Sequence, residues 1–153
     1  MDYRTALKQL IMEYRDGIME IYQVTTTAAM KDAKKLGMFK KRSFGGHIDS
    51  FRSHMEDAKA LDVDAIDIPE GDEESRNLAD LMKKSIQSFC LLCDLSIEFY
   101  QMAERKQYKD SGVSVEQYTK ALSQMQRVLM RSLEDLNNLG QAYGEYHTDD
   151  LAD

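Results

Sequence analysis

The stretch 86–103, IQSFCLLCDLSIEFYQMA, places the strongest constraint on the fold of this chain. On a helix with 100° per residue, its polar side chains Gln87, Asp94, Glu98 and Gln101 fall within a wedge of roughly 60°. The rest of the circumference is apolar or small, whereas a surface helix usually buries a stripe only a little wider than about 100°. We therefore expect this helix to be covered from several sides, by its own chain, by a partner or by both.

The composition favours a single helical domain. The 153 residues include one Pro, ten Met and 31% charged residues, and the hairpin dipeptide Asn-Gly is absent. This length suits one domain, with residues 1–147 as a helical bundle and residues 148–153 as a flexible acidic tail. The formal charge of −7 argues against broad nucleic-acid binding, which requires basic surface.

Heptad and capping patterns predict four helices. The first covers about residues 2–35, with Leu7, Tyr14, Ile21 and Ala28 in one apolar track and Leu10, Gly17 and Val24 in a second, unless it breaks near Gly17 or the following threonines. The second, from about Ser43 or His47 to Leu61, is short, and the third begins near Asp72 and ends near Tyr108. The fourth begins at a capping box formed by Ser114 and Gln117 and frays near 144–147. These elements predict an all-α, up-and-down four-helix bundle with three long helices and one short second helix.

An acidic segment, residues 62–74, separates the second and third predicted helices. A twelve-residue loop between two helices has the frame of a calcium-binding EF-hand. Ile66, however, offers no side-chain oxygen at the fifth loop position, and Asp67 stands where the sharp turn needs Gly. We interpret the segment as a solvated acidic linker, pinned to the bundle by Val63, Ile66 and Ile68.

A basic cluster follows the first predicted helix. Residues 31–42 hold six Lys or Arg and one Asp, and residues 104–110 add further cations at the same predicted end of the bundle. Together with backbone amides at the start of the second helix, this cluster predicts a phosphate or nucleotide site. The alternative is that Lys and Arg collect at helix C-termini because the helix dipole favours cations there. The candidate anion-binding residues are Lys34, Lys35, Lys40, Lys41 and Arg42.

Other patterns give little support to redox, metal or nucleophile chemistry. Cys90 and Cys93 have the spacing of a redox pair, but they lie several turns inside an apolar helix, far from the N-terminus that stabilises a thiolate. We interpret them as two small buried hydrophobic residues. His47 and His54 share a helix face, but no Glu-x-x-His pattern is present, and no Ser or Cys lies in a nucleophile elbow. The sequence predicts no cofactor, no metal and no catalytic residue, so a metal-dependent enzyme is the least supported reading.

The wide apolar arc and the ten Met favour a non-catalytic interaction protein. We expect a homodimer formed through the third or fourth helices, which would cover the apolar surface that a monomer exposes. The first fifteen residues lack the apolar core of a signal peptide, and no run of about 18 apolar residues exists, so we expect a cytoplasmic protein with no membrane contact. The alternative function is a bundle that binds a small ligand or an anion at its basic end. The candidate interface residues are Leu91, Leu95, Phe99 and Met102.

Overall fold

The computed structural model describes residues 2–36, 41–108 and 110–146 and has the predicted all-α, four-helix architecture. Helix α1 covers residues 3–34 in three consecutive parts, Tyr3–Met12, a π-helical part Glu13–Met19, and Glu20–Lys34. Helices α2, α3 and α4 are Gly45–Lys59, Glu73–Lys106 and Val115–Glu145, and a short 3₁₀ turn, Val63–Ala65, lies in the linker. No strand occurs in the described ranges, so three long helices and a short second one are confirmed. The predicted acidic tail 148–153 lies outside the described residues.

The predicted helix starts are confirmed by their hydrogen bonds. The Asp2 carboxylate accepts from the Thr5 amide at 2.8 Å at the start of α1. The Ser114 hydroxyl accepts from the Gln117 amide at 3.0 Å, and the Gln117 side chain accepts from the Ser114 amide at 3.0 Å, which completes the capping box of α4. Gly112 adopts φ +74° in the turn before α4, a conformation that favours glycine.

Helix α3 is covered by all three other helices, as its narrow polar wedge requires. Gln87, Asp94, Glu98 and Gln101 are all exposed, which confirms the predicted solvent face. The ring of Phe89 lies 5.2 Å from that of Tyr22 on α1. Two further aromatic contacts join α3 to its other two neighbours: Tyr100 stacks on Phe51 of α2 at 5.6 Å, and Phe99 lies 5.1 Å from Tyr118 of α4. The chain itself therefore covers most of the apolar arc.

The π-helical part of α1 shifts the buried face by one residue. Leu7 and Tyr14 are fully buried, as the heptad predicts, but Ile21 is 57% exposed and Tyr22 takes the next buried position. A π-helical stretch holds one more residue than the α-helical turns it replaces, so every later position rotates relative to a seven-residue repeat. The prediction that the apolar track continues through Ile21 and Val24 is wrong for this reason. The alternative left open by the sequence, a break near Gly17, corresponds in the structure to this π-helical part, through which the helix continues.

At the end of the bundle where α1 begins, hydrogen bonds between side chains connect α1, α3 and α4. The Arg4 guanidinium donates to Asp72 through Nε at 3.1 Å and Nη2 at 3.0 Å, and Tyr3 also donates to this carboxylate. The Ser75 hydroxyl hydrogen-bonds the Tyr146 hydroxyl at 2.6 Å, so the end of α4 meets the start of α3. Hydrogen bonds from Tyr3, Arg4 and Ser75 outweigh burial and hold the pKa of Asp72 well below its usual range. We call this contact the Asp72 clasp.

Candidate functional site

The basic end of the bundle places its cations next to partners within the chain. The Lys41 ammonium donates to the Gln107 backbone oxygen at 2.6 Å and lies 4.7 Å from the centre of the Tyr108 ring. Arg42 reaches Asp32 through Nη1 at 3.4 Å. Of the other predicted anion-binding residues, Lys34 is exposed, Lys35 is half-buried and Lys40 lies outside the described residues. Lys41 and Arg42 thus lie together at the basic end, and the side chain of each already has a partner elsewhere in the chain.

One backbone amide at the N-terminal end of α2, next to the amides of Gly45 and Gly46 that the sequence offers to a phosphate, is already bonded within the chain. The Phe44 amide, at the N-terminal end of α2, donates to Glu104 Oε1 of α3 at 2.6 Å. The Gln107 side chain accepts from the Arg42 amide at 2.6 Å and donates to the Arg42 carbonyl at 2.7 Å. A carboxylate of the chain itself therefore occupies the helix end that favours an anion. No local sequence pattern indicates this pairing, because Glu104 lies sixty residues from Phe44.

The two cysteines are free and buried, as predicted. Burial raises the pKa of both thiols, so the reactive thiolate is disfavoured. His54 hydrogen-bonds Thr25 of α1 at 2.8 Å, and His47 hydrogen-bonds Asp32 at 2.8 Å, so the two imidazoles have separate partners. Within the described part of the chain, no group of three or more His, Cys, Asp or Glu could hold a metal ion. The helices of these ranges also lack an apolar stretch of the length that a membrane span requires.

The predicted interface residues of α3 differ in accessibility. Leu91 is 42% exposed, and Leu95 and Met102 are half-buried. Phe99 is only 1% exposed and packs on Tyr118, so it contributes to the core of its own chain. An interface on this side of α3 is therefore limited to Leu91, Leu95 and Met102.

A groove separates the first and last helices. Helix α4 packs mainly against α3, and the backbones of α1 and α4 hardly approach each other. The groove has a volume of about 770 Å³, and the π-helical part of α1 forms much of one wall. At Gly140 of α4, an added Cβ would lie 3.3 Å from the Arg15 guanidinium, so the Arg15 side chain packs closely over this glycine. The groove is lined by Arg15, Asp16, Met19, Glu20, Gln23, Leu133, Leu136, Asn137, Gly140 and Gln141.

Helix α4 presents an exposed stripe beside this groove. We call it the α4 stripe: Gln126, Met130, Leu133 and Asn137, spaced four, three and four residues apart, so that they share one face. All four are exposed, with Met130 at 67% and Leu133 at 42%. The heptad pattern of the fourth helix predicts two core tracks, and their apolar residues are all buried or half-buried: Leu122, Leu129, Leu136 and Tyr143 on one, and Tyr118, Met125 and Leu139 on the other. The core of the chain therefore does not use the α4 stripe. The sequence does contain one signal for the α4 stripe, because Met130 and Leu133 belong to neither core track.

A buried polar group lies next to the groove. Met19, Gln23 and Leu133 line both the groove and a smaller adjoining pocket of about 200 Å³, which we call the inner pocket. Ser132 lines this pocket; it is 1% exposed, and its hydroxyl has no hydrogen-bond partner among the described residues. A buried hydroxyl without a partner is uncommon in folded proteins and calls for an explanation.

Comparisons of this chain with protein-family models, with curated proteins and with solved structures find no match.

Proposed function

We propose that this chain is a non-catalytic helical-bundle protein that self-associates through the α4 stripe and the adjoining groove. The observation that carries the proposal is the stripe itself, a coiled-coil-like track with two large exposed apolar side chains that the core of the chain does not use. The proposal includes a cytoplasmic location, in which the free Cys90 and Cys93 remain reduced.

The sequence of the stripe favours a second copy of the same chain as the partner. A two-fold axis between Arg131 and Ser132 sets two α4 helices antiparallel, with Met130 of one copy opposite Leu133 of the other. The same register sets Gln126 opposite Asn137, so that two amide side chains face each other. Because the interface is isologous, each of these pairs occurs twice, so the residues at both ends of the stripe have a partner in the other copy.

Charge along α4 supports the same register. Arg127 and Glu134 are exposed and flank the stripe on one side. In the antiparallel pair, Arg127 of one copy lies two residues, about 3 Å along the axis, from the Glu134 of the other. Within one helix the two residues are seven apart, about 10 Å, so they interact mainly between copies. Opposite charges at the flanks of a helix pair favour one register and one partner.

The alternative function, anion binding at the basic end, has weaker support. Asp32 contacts Arg42 and His47, and Glu104 already accepts from the Phe44 amide. An incoming phosphate would have to compete with both carboxylates for the same donors. The self-association proposal requires no such displacement, because the α4 stripe faces solvent.

Charge reversal on α4 tests the proposal by sedimentation velocity over a range of protein concentrations. Arg127→Glu or Glu134→Arg alone turns two symmetry-related attractions into repulsions, which should weaken the dimer about tenfold for exposed pairs. The double variant restores complementarity and should recover most of the affinity. Arg52→Glu on α2 makes the same charge change as Arg127→Glu away from the stripe and should leave association unchanged. Failure of the double variant to recover, with both single variants weakened, would contradict this register.

A further inference from the structure

We infer that the inner pocket is a binding site for a small, neutral, predominantly apolar molecule that carries one hydrogen-bonding group for Ser132. The pocket lies between α1, α3 and α4, next to the groove, and Met19, Tyr22, Leu92 and Leu129 supply apolar walls. Its other lining residues besides Ser132 are uncharged: Gln23, Thr26, Thr27 and Leu133. This inference goes beyond self-association and rests on a separate feature, the unpartnered buried hydroxyl.

The chemistry of the lining selects a neutral ligand. No charged side chain lines the pocket, so a carboxylate or an ammonium group would lose its hydration without gaining an ion pair. The Ser132 hydroxyl can donate one hydrogen bond and accept others, and it has no partner among the described residues. Leaving such a group unsatisfied is costly, and a ligand that reaches it recovers that cost. Ligand sites with apolar walls and few placed polar groups are typical of small-molecule binding proteins.

The size of the pocket narrows the class further. An engineered apolar cavity of about 150 Å³ binds benzene. The inner pocket, at about 200 Å³, can hold a somewhat larger ring system. The thioether of Met19 and the ring of Tyr22 both favour contact with an aromatic ligand. The expected class is therefore a neutral aromatic molecule of one or two fused rings with a single N–H or O–H group.

Indole is a suitable probe because the chain contains no Trp, so indole emission is observed without interference from protein indole. Titration of the full chain into indole should give a saturable blue shift of the emission, with a dissociation constant on the order of 1 mM for a ligand this small. Indene has the same shape as indole but lacks the N–H group, and it should displace indole competitively. Absence of a saturable shift, or of displacement by indene, would overturn the site.

Replacing Ser132 tests the assigned hydrogen bond. Ser132→Ala should weaken indole binding about fivefold, the value of a typical single hydrogen bond, and should leave indene binding unchanged. Ser123→Ala is the matched control, because Ser123 is exposed on the same helix. Equal effects of Ser132→Ala on indole and indene would overturn the role of the hydroxyl. Circular dichroism and sedimentation of each variant report folding and association separately, so a loss of dimer does not mimic a loss of ligand.

Discussion

Replacing Asp72 with Ala is expected to remove about 3 kcal/mol from the free energy of unfolding. Loss of the N-cap of α3, where Asp72 Oδ1 accepts from the Ser75 amide at 3.1 Å, accounts for about 1 kcal/mol. Loss of the two charge-assisted hydrogen bonds from Arg4 accounts for about 2 kcal/mol. The Asp72 and Arg4 side chains are only 12% and 22% exposed, so solvent screens this pair less than a surface ion pair.

Urea unfolding followed by far-ultraviolet circular dichroism measures this loss at neutral pH. Asp72→Asn keeps a capping oxygen but removes the charge, so its loss should be intermediate, about 2 kcal/mol. Asp94→Asn removes an exposed carboxylate from the solvent face of α3 and should change stability by less than about 0.5 kcal/mol. The reasoning is refuted if Asp72→Ala costs no more than this control.

The Asp72 clasp also determines how the free energy of unfolding changes at acid pH. The pKa of Asp72 is lower in the folded chain than its ordinary value of 3.8, so the unfolded chain takes up a proton first as the pH falls. The stabilisation is complete above about pH 5 and is progressively lost below about pH 4. The difference between the original chain and Asp72→Ala should therefore shrink as the pH is lowered from 5 toward about 2. A difference that stays constant over this range would show that the charge of Asp72 has no such role.

Three further predictions concern other buried polar groups. Asp135 is only 5% exposed, and the Lys84 ammonium lies 3.8 Å from its carboxylate. Lys84→Met should therefore lower the free energy of unfolding by about 1 kcal/mol, whereas Asp135→Leu should be neutral or stabilising. Urea melts that give the opposite order would contradict this. Glu104→Ala frees the Phe44 amide, so inorganic phosphate should raise the Tm of this variant more than that of the original chain. Equal shifts of the two Tm values would contradict the claim that the Glu104 carboxylate occupies an anion site. Burial lowers the pKa of His54 below its ordinary 6.5, so stability should fall as the pH drops from about 6.5 toward 5, and His54→Gln should flatten this slope in urea titrations.

The sequence predicts the helices of this bundle well because their signals are local. The Asp72 start of α3 and the Ser114 capping box depend on residues three apart, and the structure has both. The solvent wedge of α3 depends only on helical periodicity. The register of α1 beyond Tyr14 could not be predicted, because the one-residue shift of a π-helical part has no local pattern that separates it from a continuous heptad.

The candidate site depends on contacts between distant parts of the chain, which explains why the sequence predicts less of it. Phe99 has the spacing of an interface residue, yet Tyr118 covers it from another helix. The cations of the basic cluster are visible in the sequence, but Glu104 and Gln107, which meet them, are identified only when the helices pack. The α4 stripe is partly predictable. The spacing of its residues is visible in the sequence, whereas their exposure depends on how the helices pack.

Sedimentation equilibrium of the unmodified chain beside a variant carrying Met130→Glu and Leu133→Glu tests self-association most directly. At micromolar concentration, the original chain should show twice its monomer mass of 17.6 kDa, and the variant should show the monomer mass. Val24→Glu, at a position that is 69% exposed on α1, is the matched control and should remain dimeric. A monomer mass for the original chain, or an unchanged dimer in the α4 variant, would contradict self-association through the α4 stripe.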